Sequence, residues 1–321
     1  MKAIITGGLG FIGSNLAARL VQDGAEVTLV DSLVPEYGGN RFNIRNFAKS
    51  VQLNISDVRD EFSLRHLIRD QDVLFNLAGQ TSHMDSMSDP STDLDINCRA
   101  QLSILEVCRE VNPAIRIVFA STRQIYGKPD YLPVDEKHPL RPVDVNGINK
   151  MAGEWYHILY NNVYGISACA LRLTNTYGPR MRIKDARQTF LGIWIKKVLQ
   201  GEPFEVWEGS QLRDFTYVDD CVEALILAAS NDLSQGKIFN LGGAEAPVRL
   251  DELAALLVEV NQGGSYQLME FPEERRRIDI GDYYSDSSLI QSTLGWAPRI
   301  RIREGLRKTL AFYKDNMSQY L

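Results

Sequence analysis

The sequence is poor in the residues that build disulfide frameworks and metal sites. Its 321 residues include only four cysteines and four histidines. The cysteines stand apart from one another inside apolar segments, without a C-x-x-C pair, at Cys98, Cys108, Cys169 and Cys221. Because disulfide frameworks and zinc sites use closely spaced cysteines, we expect reduced packing residues, a cytoplasmic protein and no metal ion.

Two further absences narrow the class of partner. The chain has no apolar run long enough to span a bilayer, and no basic cluster accompanies its net charge of −6 and pI of about 5.4. We therefore expect neither nucleic acid nor an anionic membrane as the main partner. The first apolar segment is followed by glycines and a helical pattern rather than a cleavage-type site, so it predicts a strand and not a signal peptide.

The first 31 residues carry the strongest motif. An apolar strand at residues 2–6 leads into a glycine-rich turn, which is followed by a helix at 14–22, a second strand at 27–30 and then Asp31. This order and spacing are typical of a βαβ unit that binds a dinucleotide, with the pyrophosphate at the helix N-terminus. The predicted cofactor-binding residues of this turn are Gly7, Gly10, Phe11, Ile12 and Gly13. Asp31 is expected to accept hydrogen bonds from ribose hydroxyls and to repel a 2′-phosphate, which favours NAD over NADP.

Beyond this unit, short apolar runs alternate with amphipathic stretches. Apolar runs typical of parallel strands covered on both faces lie at residues 51–54, 73–78, 117–121 and 166–171. Helices are expected at 63–69, 94–111, 151–163, 250–260, 287–294 and 302–314. The pattern predicts an α/β fold, a Rossmann-type doubly wound parallel sheet with a smaller C-terminal α/β substrate-binding cap.

The pattern becomes less regular after about Leu173, and this sets the predicted domains. Residues 1–173 form the Rossmann domain, to which 214–242 return, while 174–213 and 243–321 form the cap. Ligands of open α/β sheets bind at the carboxyl ends of the strands. The binding crevice is therefore expected between sheet and cap.

Polar and small residues stand where three of the predicted strands end. Asp57, together with the backbone at Val58, either binds adenine or closes a simple turn. Leu77 and Ala78 follow the next strand and are expected to leave room for the cofactor. Thr122 follows the strand after that, where it presents a hydroxyl to a substrate oxygen.

These residues belong to a set of motifs that covers nearly the whole chain. The set comprises the glycine turn, Asn76-Leu77-Ala78-Gly79, Ser121-Thr122 with Tyr126-Gly127, Asn175-Thr176-Tyr177-Gly178-Pro179-Arg180, Arg213-Asp214-Phe215, Gly242-Gly243 and Leu294-Gly295-Trp296 with Pro298. Together they resemble the extended short-chain dehydrogenase/reductase family, specifically its NAD-dependent nucleotide-sugar epimerases and dehydratases. The resemblance implies an active-site hydroxyl at Thr122, a nicotinamide-ribose contact at Lys150 and diphosphate contacts at Asn175 and Arg213, joined by one of Arg276 or Arg277. It also implies a nucleotide-diphosphate sugar as substrate and a homodimer formed through the helices at 94–111 and 151–163.

One position departs from the family pattern. The family's active-site pair is Tyr-x-x-x-Lys, and here Asn146 stands four residues before Lys150, one helical turn away on the same face. An amide cannot remove a proton from a sugar hydroxyl, and losing a general base costs about 10²-fold to 10⁴-fold in rate. Either another group has taken over or the chemistry has changed. The candidate bases are His83, Asp85, Tyr126 and Lys150.

A second departure lies beside the active-site threonine. Family dehydratases carry Asp-Glu directly after that threonine, whereas this chain carries Arg123 and Gln124. Elimination across C5 and C6 by that route therefore lacks its acid and base. Arg123 binds a substrate carboxylate or hydroxyl, which leaves uronic-acid substrates open, or it is a surface residue.

The expected function is that of an NAD-dependent nucleotide-sugar epimerase that acts at C4 by transient oxidation to a 4-keto sugar. One alternative is a nucleotide-sugar dehydratase or decarboxylase that uses the same intermediate. The other is a non-catalytic protein that binds NAD and a nucleotide sugar, for which the missing tyrosine is the main argument.

Overall fold

The computed structural model describes residues 1–34, 37–185, 187 and 189–321, without the side chains of residues 274 and 275. Its strands are β1 (Lys2–Thr6), β2 (Glu26–Asp31), β3 (Val51–Ile55), β4 (Val73–Asn76), β5 (Arg116–Thr122), β6 (Ala168–Leu173), β7 (Asn175–Tyr177), β8 (Phe204–Trp207), β9 (Leu212–Arg213), β10 (Phe215–Tyr217), β11 (Ile238–Asn240), β12 (Val248–Arg249) and β13 (Tyr266–Met269). Seven of them form one sheet in the order β11-β6-β5-β4-β1-β2-β3, and every neighbouring pair runs parallel. The predicted Rossmann-type sheet is confirmed.

Helices cover both faces of this sheet. They are α1 (Phe11–Gln22), α2 (Glu61–Ile68), α3 (His83–Ser88), α4 (Pro90–Leu94), α5 (Ala100–Val111), α6 (Val145–Tyr164), α7 (Phe190–Gln200), α8 (Val218–Ser230), α9 (Leu250–Asn261), α10 (Glu273–Arg276), α11 (Ser288–Leu294) and α12 (Ile302–Asn316). Successive strand residues point to opposite faces. Ile4 accordingly packs in a cluster with residues of α2 and α5, whereas Ile5 packs in another with residues of α1 and α8. This two-sided burial explains why the strands are apolar runs rather than alternating sequences.

The strand order reverses at β1, which lies between β2 and β4. Thr6, the last residue of β1, pairs with Val30 on one side and Asn76 on the other. Its hydroxyl donates to Asn76 Oδ1 over 2.9 Å and accepts from the backbone N–H groups of Leu77 and Ala78. These hydrogen bonds join the end of β1 to the end of β4 at the carboxyl edge of the sheet. Doubly wound folds bind their ligands at this edge.

Three short strand pairs form the C-terminal side of the crevice. β7 pairs with β10, β9 with β12, and β8 with β13. β11 returns to the edge of the main sheet beside β6. The division into a Rossmann domain and a cap at the predicted boundaries stays a prediction, since one apolar cluster runs from Leu16 in α1 to Leu257 in α9.

The observed helices differ most from the predicted ones at two places, and α1 also begins three residues earlier than predicted. α6 begins at Val145 rather than at residue 151, because Asp144 caps it by accepting the N–H of Gly147 over 2.6 Å. The predicted helix at 94–111 is divided into α4, a π-helical turn (Asp95–Arg99) and α5. Local capping sets the start of α6, and local turn geometry divides the helix predicted at 94–111. The pattern of apolar residues contains no signal for either feature. The strand at 73–78 ends at Asn76, and β6 runs two residues later than predicted.

Within the described ranges, no helix is long and apolar enough to cross a bilayer, and no cluster of side chains has the make-up of a metal site. The four cysteines are unpaired, and three of them are buried.

Candidate active site

The glycine turn after β1 forms a cradle at the carboxyl edge of the sheet. Gly7 has a φ of +70°, and its N–H donates to Val30 O over 2.8 Å. A Cβ atom at Gly13 would lie 2.2 Å from Gly7 O, so only glycine allows the helix to start this close to the turn. The cavity in front of this turn is lined by Gly7, Gly10, Phe11, Ile12, Gly13, Asp31, Asp57, Val58, Leu77 and Ala78, which are all of the predicted cofactor residues except Lys150. Backbone N–H groups and small residues at a helix start fit a pyrophosphate.

Asp31 is fixed at the far end of this cavity. Its two carboxylate oxygens accept hydrogen bonds from the N–H groups of Leu9 and Leu33, each over 2.9 Å. Burial raises the pKa of the Asp31 carboxyl, while these two hydrogen bonds act in the opposite direction. The side chain is therefore held rigidly, with its remaining lone pairs available to ribose hydroxyls.

Asp57 closes its own turn and also lines the cavity. Its Oδ1 accepts from the N–H of Arg59 over 2.9 Å, and the Arg59 guanidinium binds the carboxylate in a forked pair that lowers the pKa of Asp57. The structure thus shows the turn and places Asp57 at the wall of the cavity. An adenine contact stays a prediction.

A second and larger cavity of about 540 Å³ adjoins the cradle. Phe11, Leu77 and Ala120 line both cavities, so a dinucleotide in the cradle and a second ligand in this cleft would share a wall. The volume is in the range of small-molecule sites. The cleft brings together the predicted site residues His83, Thr122, Arg123, Asn146, Lys150, Asn175 and Arg213.

Lys150 lies in the second turn of α6, between the two cavities. Its Nζ donates to Ala120 O over 2.9 Å and lies 4.8 Å from the centre of the Phe119 ring. Burial lowers the pKa of Lys150 from 10.5 to about 8, and the charge of Asp93 partly opposes this change. The ammonium therefore loses its proton far more readily than an exposed lysine does.

Thr122 ends β5 at the bottom of the cleft. Its Oγ1 accepts from the N–H of Gln124 over 3.2 Å and so starts the short 3₁₀ turn (Arg123–Tyr126). Because Oγ1 acts as an acceptor in this bond, the hydroxyl proton is left to donate to a ligand in the cleft.

Asn146 is bound into a polar network that the sequence did not reveal. Its Nδ2 donates to Gln80 O over 2.8 Å and to Asp93 Oδ2 over 3.0 Å. Since the groups facing this end of the amide are acceptors, Nδ2 must point to them and Oδ1 away from them. Asp93 is completely buried and also accepts from the side chains of Asn97 and Asn149. A buried carboxylate with three amide donors is satisfied without a cation.

His83 faces the cleft from the first turn of α3. Its Nδ1 lies 2.9 Å from Oδ2 of Asp144, although the ring is turned so that its N–H is not aligned with that oxygen. Burial raises the pKa of the Asp144 carboxyl, but the neighbouring His83, Gly147 N–H and Gln124 side chain together lower it. Asp144 is fully buried and His83 is about 40% exposed. The pair is an imidazole at a cavity wall with a buried carboxylate beside it.

Two other candidate bases are corrected by the structure. Tyr126 is completely buried outside the cleft, where its hydroxyl donates to Asn240 and accepts from Arg172. Burial raises the pKa of Tyr126 to about 12, which is opposite to what a base needs. Asp85 forms an ion pair with Arg187 over 3.0 Å and is not among the described residues that line the cleft. Tyr126 and Asp85 were expected in the cleft because they are close in sequence to Thr122 and His83. Neighbouring side chains of a turn or helix point in different directions, so closeness in sequence did not place them there.

Arg123, Asn175 and Arg213 lie on the side of the cleft formed by β7 and β9. Arg123 Nη2 donates to Asn175 Oδ1 over 3.1 Å, and Asn175 Nδ2 donates to Asp214 O over 2.9 Å. Arg213 is buried and donates to Leu212 O, Gly281 O and Gln211 Oε1. Burial, followed by the charge of Arg123, lowers the pKa of Arg213 to about 10. The two guanidinium groups are therefore close enough to repel each other.

Arg276 and Arg277 are exposed and lie outside the described lining of the cleft. Arg276 forms ion pairs with Glu208 and Glu273 at 3.8 and 3.4 Å. Phe271 and Ile278, on either side of them, do line the cleft. The two arginines thus belong to its rim, and a diphosphate contact from either stays a prediction.

Proteins named as nucleotide-sugar epimerases and decarboxylases are similar to this chain over nearly its whole length. A Methanocaldococcus jannaschii protein provisionally named UDP-glucose 4-epimerase is 34% identical over 98% of both chains. UDP-glucuronic acid decarboxylase 1 of Danio rerio is 31% identical over 98% of this chain and 73% of its own length. The crystal structure of Thermus thermophilus UDP-glucose 4-epimerase in complex with NAD is 29% identical, with a TM-score of 0.86 over 98% of this chain and 99% of that one.

A further match includes the glycine cradle and extends to the strand that returns to the sheet, β11. Residues 3–242 fit the pattern shared by NAD dependent epimerases and dehydratases. The cradle, the acid that ends β2 and this match agree on the same cofactor, and the chain belongs to the NAD dependent epimerase/dehydratase family.

Proposed function

We propose that the protein is an NAD-dependent nucleotide-sugar epimerase that inverts C4 through a 4-keto intermediate. The observation that carries this proposal is the shared wall of the two cavities, with Lys150 and Thr122 beside it. A sugar hydroxyl that binds Thr122 Oγ1 lies next to the end of the cradle expected to hold the nicotinamide. The similarity to UDP-glucose 4-epimerases supports the same reaction.

NAD, when bound by the residues of the cradle, would supply a reversible hydride acceptor, which inversion at C4 needs first on one face of the sugar and then on the other. Thr122 donates to the reacting oxygen and orients it. His83 removes the hydroxyl proton during oxidation and gives it back during reduction, and Asp144 stabilises the imidazolium that forms in between. Lys150 binds the nicotinamide ribose, and its charge favours the developing alkoxide.

His83 is preferred over Lys150 as the base for a geometric reason. The Lys150 ammonium already donates to Ala120 O from inside the wall, whereas His83 stands free on the cleft side with a carboxylate behind it. The arrangement matches a general base positioned by a second group. Asn146 has a different role, because its N–H₂ group is bound to Gln80 and Asp93 and only Oδ1 is left for a hydroxyl or a water.

The nucleotide diphosphate is assigned to the cap side of the cleft. Arg213 and Asn175 lie there, and Arg276 stands on the rim, where a modest movement of the loop after Phe271 would bring it to the ligand. Two guanidinium groups offer forked donors and opposite charge to a pyrophosphate.

A decarboxylase that uses the same 4-keto intermediate is a second candidate. It is favoured by Arg123, which has a cleft position suited to a sugar carboxylate, and by the similarity to a UDP-glucuronic acid decarboxylase. Oxidation at C4 places a ketone β to a C6 carboxylate, and loss of carbon dioxide then competes with return of the hydride.

We also propose a homodimer formed by α5 and α6. Their outer faces carry exposed apolar side chains, which are Leu102 on α5 and Ile148, Trp155, Leu159 and Val163 on α6. The α6 residues recur at intervals of four and seven and so form one stripe of the helix. An apolar stripe of this size is typical of an interface. The cytoplasmic location predicted from the unpaired cysteines is part of the same proposal.

The test is conversion of a panel of UDP-, dTDP-, GDP- and CDP-sugars by the purified protein, followed by proton NMR and mass spectrometry. Epimerisation gives a product of unchanged mass with inverted C4, whereas decarboxylation lowers the mass by carbon dioxide. Binding of NAD and a nucleotide sugar without conversion and without transient NADH absorbance would support the non-catalytic alternative instead.

A further inference from the structure

Arg123 has a buried guanidinium nitrogen that nothing in the described part of the chain satisfies. Nη2 donates to Asn175, but Nη1 has no hydrogen-bond partner although it is shielded from solvent. The guanidinium carbon lies 5.2 Å from the centre of the Tyr283 ring. A buried charged donor without an acceptor is costly, and native proteins keep such groups mainly where a ligand completes them.

The acids nearest to Arg123 are occupied by other groups. Asp214 accepts from the Thr174 hydroxyl and, over 2.9 Å, from the N–H of Ser285. Asp279 accepts from Gln211 and from the N–H of Gly281, and it lies 3.6 Å from Arg213. Tyr283 is no substitute, because burial raises the pKa of its phenol well above the usual value and keeps it neutral.

The position of Arg123 indicates which part of a ligand it meets. It directly follows Thr122, the residue expected at the reacting carbon, and is bound to Asn175 on the cap side. It therefore stands between the reaction centre and Arg213. A ligand group that reaches Arg123 would therefore belong to the sugar, with the diphosphate expected farther along the cleft.

We propose that Arg123 binds a carboxylate on the sugar, so that the substrate is a nucleotide-diphosphate-linked uronic acid rather than a neutral hexose. One unpaired cation matches one monoanionic group, and a guanidinium offers the planar pair of donors that a carboxylate accepts. This inference rests on the proposed function, since it names the substrate class of the same site.

The experiment measures binding, so it does not depend on turnover. With NAD present, UDP, dTDP, GDP and CDP are titrated first by calorimetry, and the tightest nucleotide is then compared as its hexuronate and its neutral hexose. The wild-type protein is expected to bind the hexuronate about ten-fold to a hundred-fold more tightly, as for a charge-assisted hydrogen bond in a buried site. Arg123→Gln should abolish this preference, Arg123→Lys should keep part of it, and the affinity for the free nucleoside diphosphate should change little.

Lys197→Ala is the matched control, because it removes another cation from the cleft wall without touching Arg123. The preference for the hexuronate should survive this substitution. If Arg123→Gln weakens the free nucleoside diphosphate as much as the hexuronate, the arginine binds phosphate and the inference is wrong.

Equal wild-type affinity for hexuronate and hexose would also overturn the inference, whether or not the Arg123 variants fold, while leaving the proposed epimerase intact. Failure to bind any nucleotide sugar would instead remove the proposed function together with the inference that depends on it.

Discussion

The side-chain nitrogen of Asn146 lies 3.0 Å from Oδ2 of Asp93, and the donor can only be the amide. This contact bears on the role of Asn146, which occupies the position of the family's tyrosine. A phenol at position 146 could donate a hydrogen bond to Asp93 only by leaving the cleft, and facing the cleft it would leave the buried carboxylate with one donor fewer. We therefore expect this position to depend on an amide, as the hydrogen bonds of Asn146 to Gln80 and Asp93 suggest.

Asn146→Tyr should lower turnover rather than restore it, and it should reduce stability because a larger side chain must enter a packed polar network. Asn146→Ala should reduce turnover less, since Lys150 and Thr122 keep their places. Steady-state kinetics on whichever nucleotide sugar is converted would measure both. Higher turnover of Asn146→Tyr than of the wild type would mean that the site is only a weakened form of the family's own.

His83→Ala should lower kcat by about 10²-fold to 10⁴-fold, the range for loss of a general base, with a smaller change in KM. Tyr126→Phe is the control, because its hydroxyl is buried between Asn240 and Arg172 outside the cleft. It should cost some stability and leave the turnover of the folded protein unchanged. A loss of turnover in Tyr126→Phe as large as that in His83→Ala would exclude this assignment.

Lys150 should make the stability of the ligand-free protein depend on alkaline pH. Burial lowers its folded-state pKa to about 8 from 10.5, so between these values the unfolded chain holds a proton that the folded protein has released. Stability contributed through this group therefore rises as the pH increases from about 8 to 10.5. Lys150→Met should be more resistant to urea than the wild type at pH 7, and this difference should shrink across that window.

Lys49→Met, at an exposed lysine, is the control for this measurement and should give no such pH-dependent difference. A constant offset between wild type and Lys150→Met from pH 7 to 10.5 would show that Lys150 keeps an ordinary affinity for its proton.

Asp31→Asn should narrow the preference for NAD over NADP. The amide loses the charge that repels a ribose 2′-phosphate but can still accept one of the backbone hydrogen bonds from Leu9 or Leu33. Calorimetric titration of both dinucleotides measures the effect, and Asp57→Asn, on the same cavity, serves as comparison. Tighter binding of NADP than of NAD by the wild type would show that Asp31 has been misinterpreted.

The sheet could be predicted because its strands are buried on both faces. Such strands need continuous apolar runs, for example at residues 117–121. The cradle could be predicted because two of its glycines are required locally, Gly13 by a close backbone approach and Gly7 by a positive φ. In both cases the structural demand falls on a short stretch of chain. Local sequence then carries the information.

The network around Asn146 could not be predicted in the same way. Asp93 and Gln80 reach it from segments more than fifty residues away, and a polar residue in an amphipathic pattern looks solvent-exposed until its partners are known. The same holds for His83 at the start of α3, whose neighbour Asp144 caps α6 about sixty residues later. The burial of Asn146, which follows from these distant partners, has no signal in the local sequence.

Asp144 links two tasks that usually belong to different residues. The same carboxylate caps the helix that carries Asn146 and Lys150 and stands behind the imidazole of His83. A change that tunes the proton acceptor would also shift the origin of the helix, and a change that loosens the helix would free the imidazole. If His83 is the base, as proposed, then the acid, the helix start and the base are coupled, and a substitution at His83 would alter the site with less effect on the helix than a substitution at Asp144.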